Sequence, residues 1–340
     1  MATDNGMKIL ITGGAGFLGT QLARALLKQG HFRGRPIASL TLADRVAPAH
    51  PDVATDARVT VDIGDLLERM PPLLAAGHDA VFHLASAVSA ECEADFDLGL
   101  RSNLDTTRAL LDGLRAQALR SGRPPVLFFS SSVAVFGADP GIPLPAVIRD
   151  DTLPTPQSSY GTQKFICEQL IAEYTRKGYV DGRVARLMTV SVRPGRPNGA
   201  ASSFLSGIIR EPLAGIPTVC PVGLATEVAL ASPANTVAGI LAVAQADREA
   251  LGGRTAINLP ALTVSVRQML DALRAVAGEQ TAGLVTPAPD AAIARIVGGW
   301  PARFESPRAA ALGLKPDVSY RAVIEQYIAE NESGRASTPS

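Results

Sequence analysis

The stretch Lys8-Ile-Leu-Ile-Thr12-Gly-Gly-Ala-Gly16-Phe-Leu-Gly19 decides the fold. Lys8 to Thr12 reads as a buried strand, and Gly13, Gly16 and Gly19 recur at every third position. A helix is predicted over Phe17 to Gln29, with Leu18, Leu22, Leu26 and Leu27 as its apolar positions. A strand that turns through glycine into a helix N-terminus seats a pyrophosphate, because free N–H groups and the positive end of the helix dipole face the anion. The spacing is G-x-x-G-x-x-G, not the G-x-G-x-x-G of the standard dinucleotide fingerprint. Glycines here also serve plain helix–strand packing, so context has to carry the assignment. Asp44 supplies it, closing the next strand in Leu40-Thr-Leu-Ala-Asp44. A carboxylate at that place accepts the adenosine ribose hydroxyls and repels a 2′-phosphate, which favours NAD over NADP. The plain alternative is a solvated turn aspartate, and the adjacent Arg45 weighs on that side.

Further strands are expected at Ser39 to Ala43, Val59 to Val61, Ala80 to Leu84 and Val126 to Ser130, with helices at Asp95 to Arg120 and Ser159 to Arg176. Near-continuous apolar strands between helices mark a parallel sheet covered on both faces. Right-handed connections then give an α/β, Rossmann-like, doubly wound fold with ligands beyond the carboxyl ends of the strands. The expected organisation is an NAD-binding domain over 7–190, to which 224–250 returns. Residues 191–223 and 251–330 would form a smaller C-terminal substrate lobe, and 331–340 a disordered polar tail. Ser232-Pro233 reads as an N-cap with proline at the first helical position, opening the returning helix.

At 340 residues the chain exceeds the usual size of one core, consistent with two lobes. The formal net charge is zero, so no broad attraction to nucleic acid or anionic membrane is implied. Cys92, Cys167 and Cys220 are too far apart for a C-x-x-C pair and read as buried or half-buried free thiols. His31, His50, His78 and His83 lack ligand spacing, His83 reads as a packed residue, and no metal site is expected. No signal peptide is read at the start, and the apolar region Val219 to Ala246 is interrupted by Pro221, Gly223, Glu227, Pro233 and Asn235. The expected location is the cytoplasm.

Tyr160-Gly-Thr-Gln-Lys164 carries the chemistry. Residues four apart on a helix share a face, so a lysine charge stands beside a phenol. Opposite charge favours the phenolate, and on that ground the phenol's pKa is expected to fall towards the working pH, making Tyr160 a general base. A Y-x-x-x-K spacing arises by chance in many helices; its company makes it informative. Phe128-Phe-Ser130-Ser-Ser132 ends the fifth strand, where a hydroxyl either satisfies backbone groups or holds a substrate oxygen. Asp62-Ile63 is placed to flank the adenine, and Ala85 and Ser86 to pass the middle of the cofactor. Asn103 is a poor helix former inside its helix. It holds a water or cofactor amide, or else serves a surface or interface.

Together these residues resemble the extended short-chain dehydrogenase/reductase family, which includes NAD-dependent epimerases and dehydratases. The similar segments are Thr12 to Gly19, Asp62-Ile63, His83-Leu-Ala85, Ser130 to Gly137, Tyr160 to Lys164 and Leu312-Gly-Leu-Lys-Pro316. The resemblance implies catalytic roles for Tyr160, Lys164 and Ser132, with Ser131 in reserve, and cofactor contacts at Gly13, Gly16, Phe17, Leu18, Gly19, Asp44, Asp62, Ile63, Ala85, Ser86, Asn103, Tyr160 and Lys164. Many sugar-nucleotide members carry R-x-x-N-x-Y-G-P after the sixth strand. Here, from Arg186, Thr189 and Ser191 stand at the asparagine and tyrosine places, and Ser232-Pro-Ala-Asn235 replaces an acidic pair. The run Val192-Arg-Pro-Gly-Arg-Pro-Asn198 instead looks like the D-erythronate dehydrogenase branch.

That branch implies NAD-dependent oxidation of a small aldonic acid at C2, D-erythronate to 2-dehydro-D-erythronate. Ser132 and Tyr160 would hold the hydroxyl and Arg193 or Arg196 the carboxylate; both arginines read equally well as loop scaffold. The rival enzyme is a nucleotide-sugar epimerase or dehydratase that recycles its NAD, and the non-catalytic rival is a dinucleotide sensor. Only a dehydrogenase accumulates NADH. Extended members commonly pair the helices Asp95 to Arg120 and Ser159 to Arg176 across a two-fold, which implies a homodimer.

Overall fold

Alternation along the strands of the first lobe sends neighbouring side chains to opposite faces of one sheet. The structure, a computed structural model, describes residues 6–195 and 201–336, with side chains to residue 331. The strands are β1 (Met7–Thr12), β2 (His31–Phe32), β3 (Arg35–Asp44), β4 (Val59–Ile63), β5 (Ala80–His83), β6 (Val126–Ser132) and β7 (Asp181–Leu187). With the edge strand Ile257–Asn258 they run in the order Ile257–Asn258, β7, β6, β5, β1, β3, β2, and β4 also pairs with β3. Every pairing is parallel except the short β2–β3 hairpin.

Ile9, Ile11, Phe82 and Phe128 enter one core, under the helices Phe17–Gln29 and Pro233–Gln245. Leu10, Val81, Leu127 and Phe129 enter the other, under Leu66–Ala75, Thr106–Ser121 and Ser159–Arg176. Burial on both faces is why these strands read as unbroken apolar runs. Phe32, Phe82 and Phe128 stack through the first core with ring centroids 5.6 and 5.9 Å apart.

The single helix expected over Asp95 to Arg120 is instead three pieces: Phe96–Gly99, a π-helical turn at Leu100–Asp105, and Thr106–Ser121. The wider turn carries Asn103, which is buried. Such turns occur mostly as single-turn bulges inside α-helices, frequently at functional sites.

The lobe borders also differ from those expected. Ile257–Asn258 pairs with β7 and so belongs to the large sheet, not to a substrate lobe beginning at 251. Glu227–Ala231 pairs with Leu262–Ser265 and Thr189–Val190 in a small three-stranded sheet, so the chain rejoins the first lobe at Pro233 and not at 224. There Ser232 caps the helix by accepting from Asn235 N–H, with Pro233 at its start. The second lobe has its own core, in which Leu205, Ile208, Val264, Met269 and Leu273 meet Tyr320, Val323 and Ile324. The last helix runs Tyr320–Ala336, so 331–336 are helical where a disordered tail was expected; 337–340 lie outside the described residues. Among the described residues no helix is long and apolar enough to cross a membrane.

Candidate active site

At the carboxyl ends of β1, β3 and β5 the glycine turn leaves no room for side chains. Gly13 has φ +73°, and a Cβ on it would stand 2.8 Å from Ala85 N; one on Gly19 would stand 2.0 Å from Gly13 O. No side chain caps the helix that begins at Phe17, and its first turn holds no acid, so the N–H groups of Phe17 and Leu18 remain available to an anion. Asp44 lies against the same turn, accepting from Ala15 N–H at 2.9 Å, Gly16 N–H at 3.2 Å and Arg45 N–H at 2.7 Å. Ile63 is exposed beside Asp44 at the end of β4, and Asp62 is held by two 2.7 Å bonds from Arg69, which keep its carboxyl below the usual range. Arg45, adjacent to Asp44, approaches Asp65 at 3.6 Å. A glycine cradle, an uncapped helix start and a carboxylate at the end of β3 fit NAD.

Asn103 has a different task from the cofactor contact expected of it. Its Oδ1 accepts from Ser86 Oγ–H at 2.9 Å and Ala87 N–H at 2.8 Å, while its Nδ2 donates to Gln163 Oε1 at 2.7 Å. The buried amide thus ties the loop after β5 to the helix Ser159–Arg176, and neither a surface nor a free cofactor-binding group remains.

Ser158 caps that helix by accepting from Gly161 N–H, which fixes where Tyr160 and Lys164 project. The Tyr160 hydroxyl faces Ser132 and Ser86, and burial, opposed by the Ser132 hydroxyl, pushes the phenol up to about 12. Burial pulls the Lys164 amine down to about 8. Its Nζ donates to Ser130 O at 2.8 Å and lies 5.5 Å from the centre of the Tyr160 ring. The expected lowering of the phenol by its lysine is therefore corrected for the ligand-free protein: the niche disfavours each charge alone. Ser132 accepts from Ala134 N–H at 3.1 Å, leaving its own proton to donate. Ser131 is not an equivalent reserve, because its buried hydroxyl donates to Glu168.

Arg193 follows the small-sheet strand Thr189–Val190, and its backbone is pinned to the helix Phe204–Leu213 by Ser206 Oγ at 3.0 Å and Arg210 Nη1 at 2.8 Å. Burial and the nearby Arg210 charge lower its pKa; Arg210 pairs with Glu211, while Arg193 has no carboxylate partner among the described residues. Arg196 and Asn198 lie outside the described residues.

Two departures from the sugar-nucleotide pattern are filled from the C-terminal segment. Ser191 Oγ meets the buried Tyr320 hydroxyl at 2.8 Å, and Ser232, where an acidic pair was missing, donates to Asp317 through its N–H at 2.8 Å and its hydroxyl at 2.6 Å. The sequence reading missed both contacts, and no local signal points to partners more than eighty residues away. It also missed Glu168, which had a signal: a carboxylate four residues beyond Lys164 on the same helical face.

A model of the NAD dependent epimerase/dehydratase family matches residues 9–256. The chain belongs to this family. It is 51% identical to a D-erythronate dehydrogenase of Cupriavidus necator, covering 95% of this chain and 98% of that one. It is 44% identical to a D-erythronate dehydrogenase of Haemophilus influenzae, covering 95% and 99%. A solved structure described as a nucleoside-diphosphate-sugar epimerase from Agrobacterium tumefaciens superposes with a TM-score of 0.91 at 41% identity, covering 97% of this chain and 95% of that one. The protein is an NAD-dependent oxidoreductase with a Rossmann-like first lobe.

His83, expected to be a packed histidine, is fully buried behind this site. Thr107 donates to Asn103 O at 2.6 Å, so its oxygen accepts from His83 Nε2–H at 3.0 Å, and His83 Nδ1 accepts from Thr12 Oγ at 2.6 Å. Burial, helped by the Lys164 charge, holds the imidazole at about 3 against an ordinary 6.5. A lowered folded-state value means weaker proton binding by the folded state. The stability contributed by neutral His83 is present above about pH 6.5 and lost as pH falls from there towards 3. Urea titrations should therefore show stability falling more steeply from pH 6 to 4 in the wild type than in His83→Asn. Equal slopes would place the acid sensitivity elsewhere.

Proposed function

We propose that this chain oxidises D-erythronate at C2 to 2-dehydro-D-erythronate, with NAD as hydride acceptor. Near full-length identity to two D-erythronate dehydrogenases carries this reading. The half-buried Arg193, without a carboxylate partner among the described residues, supports it, since a four-carbon acid offers little apolar surface and must be held by charge. The described Agrobacterium relative keeps the epimerase reading in view. Thr189 and Ser191 in place of asparagine and tyrosine weigh against a sugar nucleotide here.

In this proposal Tyr160 takes the C2 hydroxyl proton, and Ser132 donates a hydrogen bond to the same oxygen as charge develops on it. Lys164 supplies the positive charge that accompanies the phenolate and hydrogen-bonds the nicotinamide ribose. Gly13, Gly16, Phe17, Leu18 and Gly19 hold the pyrophosphate, Asp44 the adenosine ribose, Asp62 and Ile63 the adenine edge, and Ala85 and Ser86 the middle of the cofactor. Bound NAD supplies the site that receives the hydride; the protein supplies position and field. Arg193 orients the acid carboxylate, and Arg196 is assigned to the same loop from sequence alone.

The reading extends to assembly and location. The helices Thr106–Ser121 and Ser159–Arg176 pack side by side on one face, which supports a homodimer across them, and sedimentation at micromolar concentration should give a dimer mass. A monomer there would remove the dimer from the proposal. Three free, buried thiols suit the reducing cytoplasm.

Tyr160→Phe should retain NAD affinity and lose turnover on D-erythronate, read as NADH formation at 340 nm; retained turnover would take Tyr160 out of the base role. Arg193→Lys should raise KM for the acid about tenfold or more while leaving KM for NAD near the wild-type value. An unchanged acid KM would mean that the carboxylate is held elsewhere.

A further inference from the structure

Tyr160, Lys164 and Glu168 follow one another at four-residue spacing on one face of the helix Ser159–Arg176. Glu168 is 2% exposed. Its Oε1 accepts from Ser131 Oγ–H at 2.5 Å and from Arg186 Nε–H at 2.9 Å, and its Oε2 accepts from Arg186 Nη2–H at 2.7 Å. Ser131 and Arg186 are register partners across β6 and β7. One carboxylate therefore spans the helix of Tyr160, the strand that ends in Ser132, and the strand that leads towards Arg193. Arg186 extends the tie to Asn258 on the edge strand at 3.4 Å, and its guanidinium lies 4.8 Å from the centre of the Phe136 ring.

A buried ion pair is a poor stability device, because desolvating both groups offsets most of their attraction. What a bidentate pair gives is direction: two parallel bonds fix distance and angle together. The pair joins the Tyr160 helix to β6 and β7, so an error in helix position there would alter the spacing between Ser132 and Tyr160.

We propose that Glu168 and Arg186 are positioning residues, which hold the Ser132 strand end and the Tyr160–Lys164 helix at their working separation and place an anion behind Lys164. The proposal rests on the catalytic reading of Ser132, Tyr160 and Lys164. The groups acting on Lys164 are Cys92, Cys167, Glu168 and His83, and Glu168 is the carboxylate among them. Lys164 is thus the reporter for this anion even when no substrate is bound.

Two variants separate positioning from packing. The Glu168→Leu/Arg186→Met double variant replaces the pair by apolar side chains, a change that such sites tolerate. Folded double variant should bind NAD with a Kd within about twofold of wild type yet lose about tenfold to a hundredfold in kcat, as misplacement of reacting groups does. A folded double variant with wild-type kcat would overturn the proposal. Glu168→Gln keeps the shape and drops the charge. In ligand-free protein carrying ¹³Cε-lysine, the Lys164 signal, one among Lys8, Lys28, Lys164, Lys177 and Lys315, should titrate at lower pH than in the wild type. An unmoved titration would equally overturn it, and this readout stands even if the double variant does not fold. Wild-type protein inactive on D-erythronate would count against the proposed substrate and leave the lysine titration as the test of the pair.

Discussion

The buried ammonium of Lys164 is the constraint around which this site is built. It is buried against the Ser130 carbonyl at 2.8 Å and the face of Phe129, with its Nζ 4.7 Å from that ring's centre. Burial there weakens the charged amine, and the same burial weakens a phenolate at Tyr160. An isolated charge of either sign is costly in such a niche, whereas the two together offset each other. Loss of the Tyr160 proton is thereby coupled to retention of the Lys164 proton. The lysine acts as one half of a pair whose other half forms only when a proton is taken up elsewhere.

That niche needs a rigid wall, and the large sheet provides it. Ser130, Ser131 and Ser132 lie on consecutive positions of β6 and divide their work by alternation. Ser130 donates to His83 O from one side, Ser131 donates to Glu168, and Ser132 faces Tyr160. A one-residue slip of β6 would exchange these tasks. The paired strands β5 and β7 prevent the slip through seven register partners on one side and a buried apolar row on the other.

Most of this architecture was legible because it is local. The strand–glycine–helix unit, the Tyr160–Lys164 spacing and the Ser232-Pro233 helix start each lie within one short stretch, where periodicity and caps speak directly. The π-helical turn at Leu100–Asp105 was not legible, since it shares its apolar spacing with an ordinary helix; Asn103 was the one visible irregularity. The helix Leu66–Ala75 contains Pro71 and Pro72, residue types that oppose a helix interior, while Asp65 caps its start. The lobe borders failed for a different reason. Ile257–Asn258 and Glu227–Ala231 are too short for their sheet to be told from pattern, and pairing across the fold decides it. The contacts of Ser191 with Tyr320 and of Ser232 with Asp317 are tertiary in the same sense.

The departures from the sugar-nucleotide pattern at Thr189, Ser191 and Ser232 lie outside the glycine cradle and the Tyr160–Lys164 helix, which keep the family's form. The proposed net oxidation and a cycle that returns its hydride differ in whether NADH accumulates. The most direct measurement is product stoichiometry: protein incubated with NAD and D-erythronate, with NADH read by absorbance and the keto acid by mass spectrometry. The account predicts equal amounts of NADH and 2-dehydro-D-erythronate, both accumulating over many turnovers. Turnover of a nucleotide-linked sugar without net NADH, and no keto acid from D-erythronate, would contradict it.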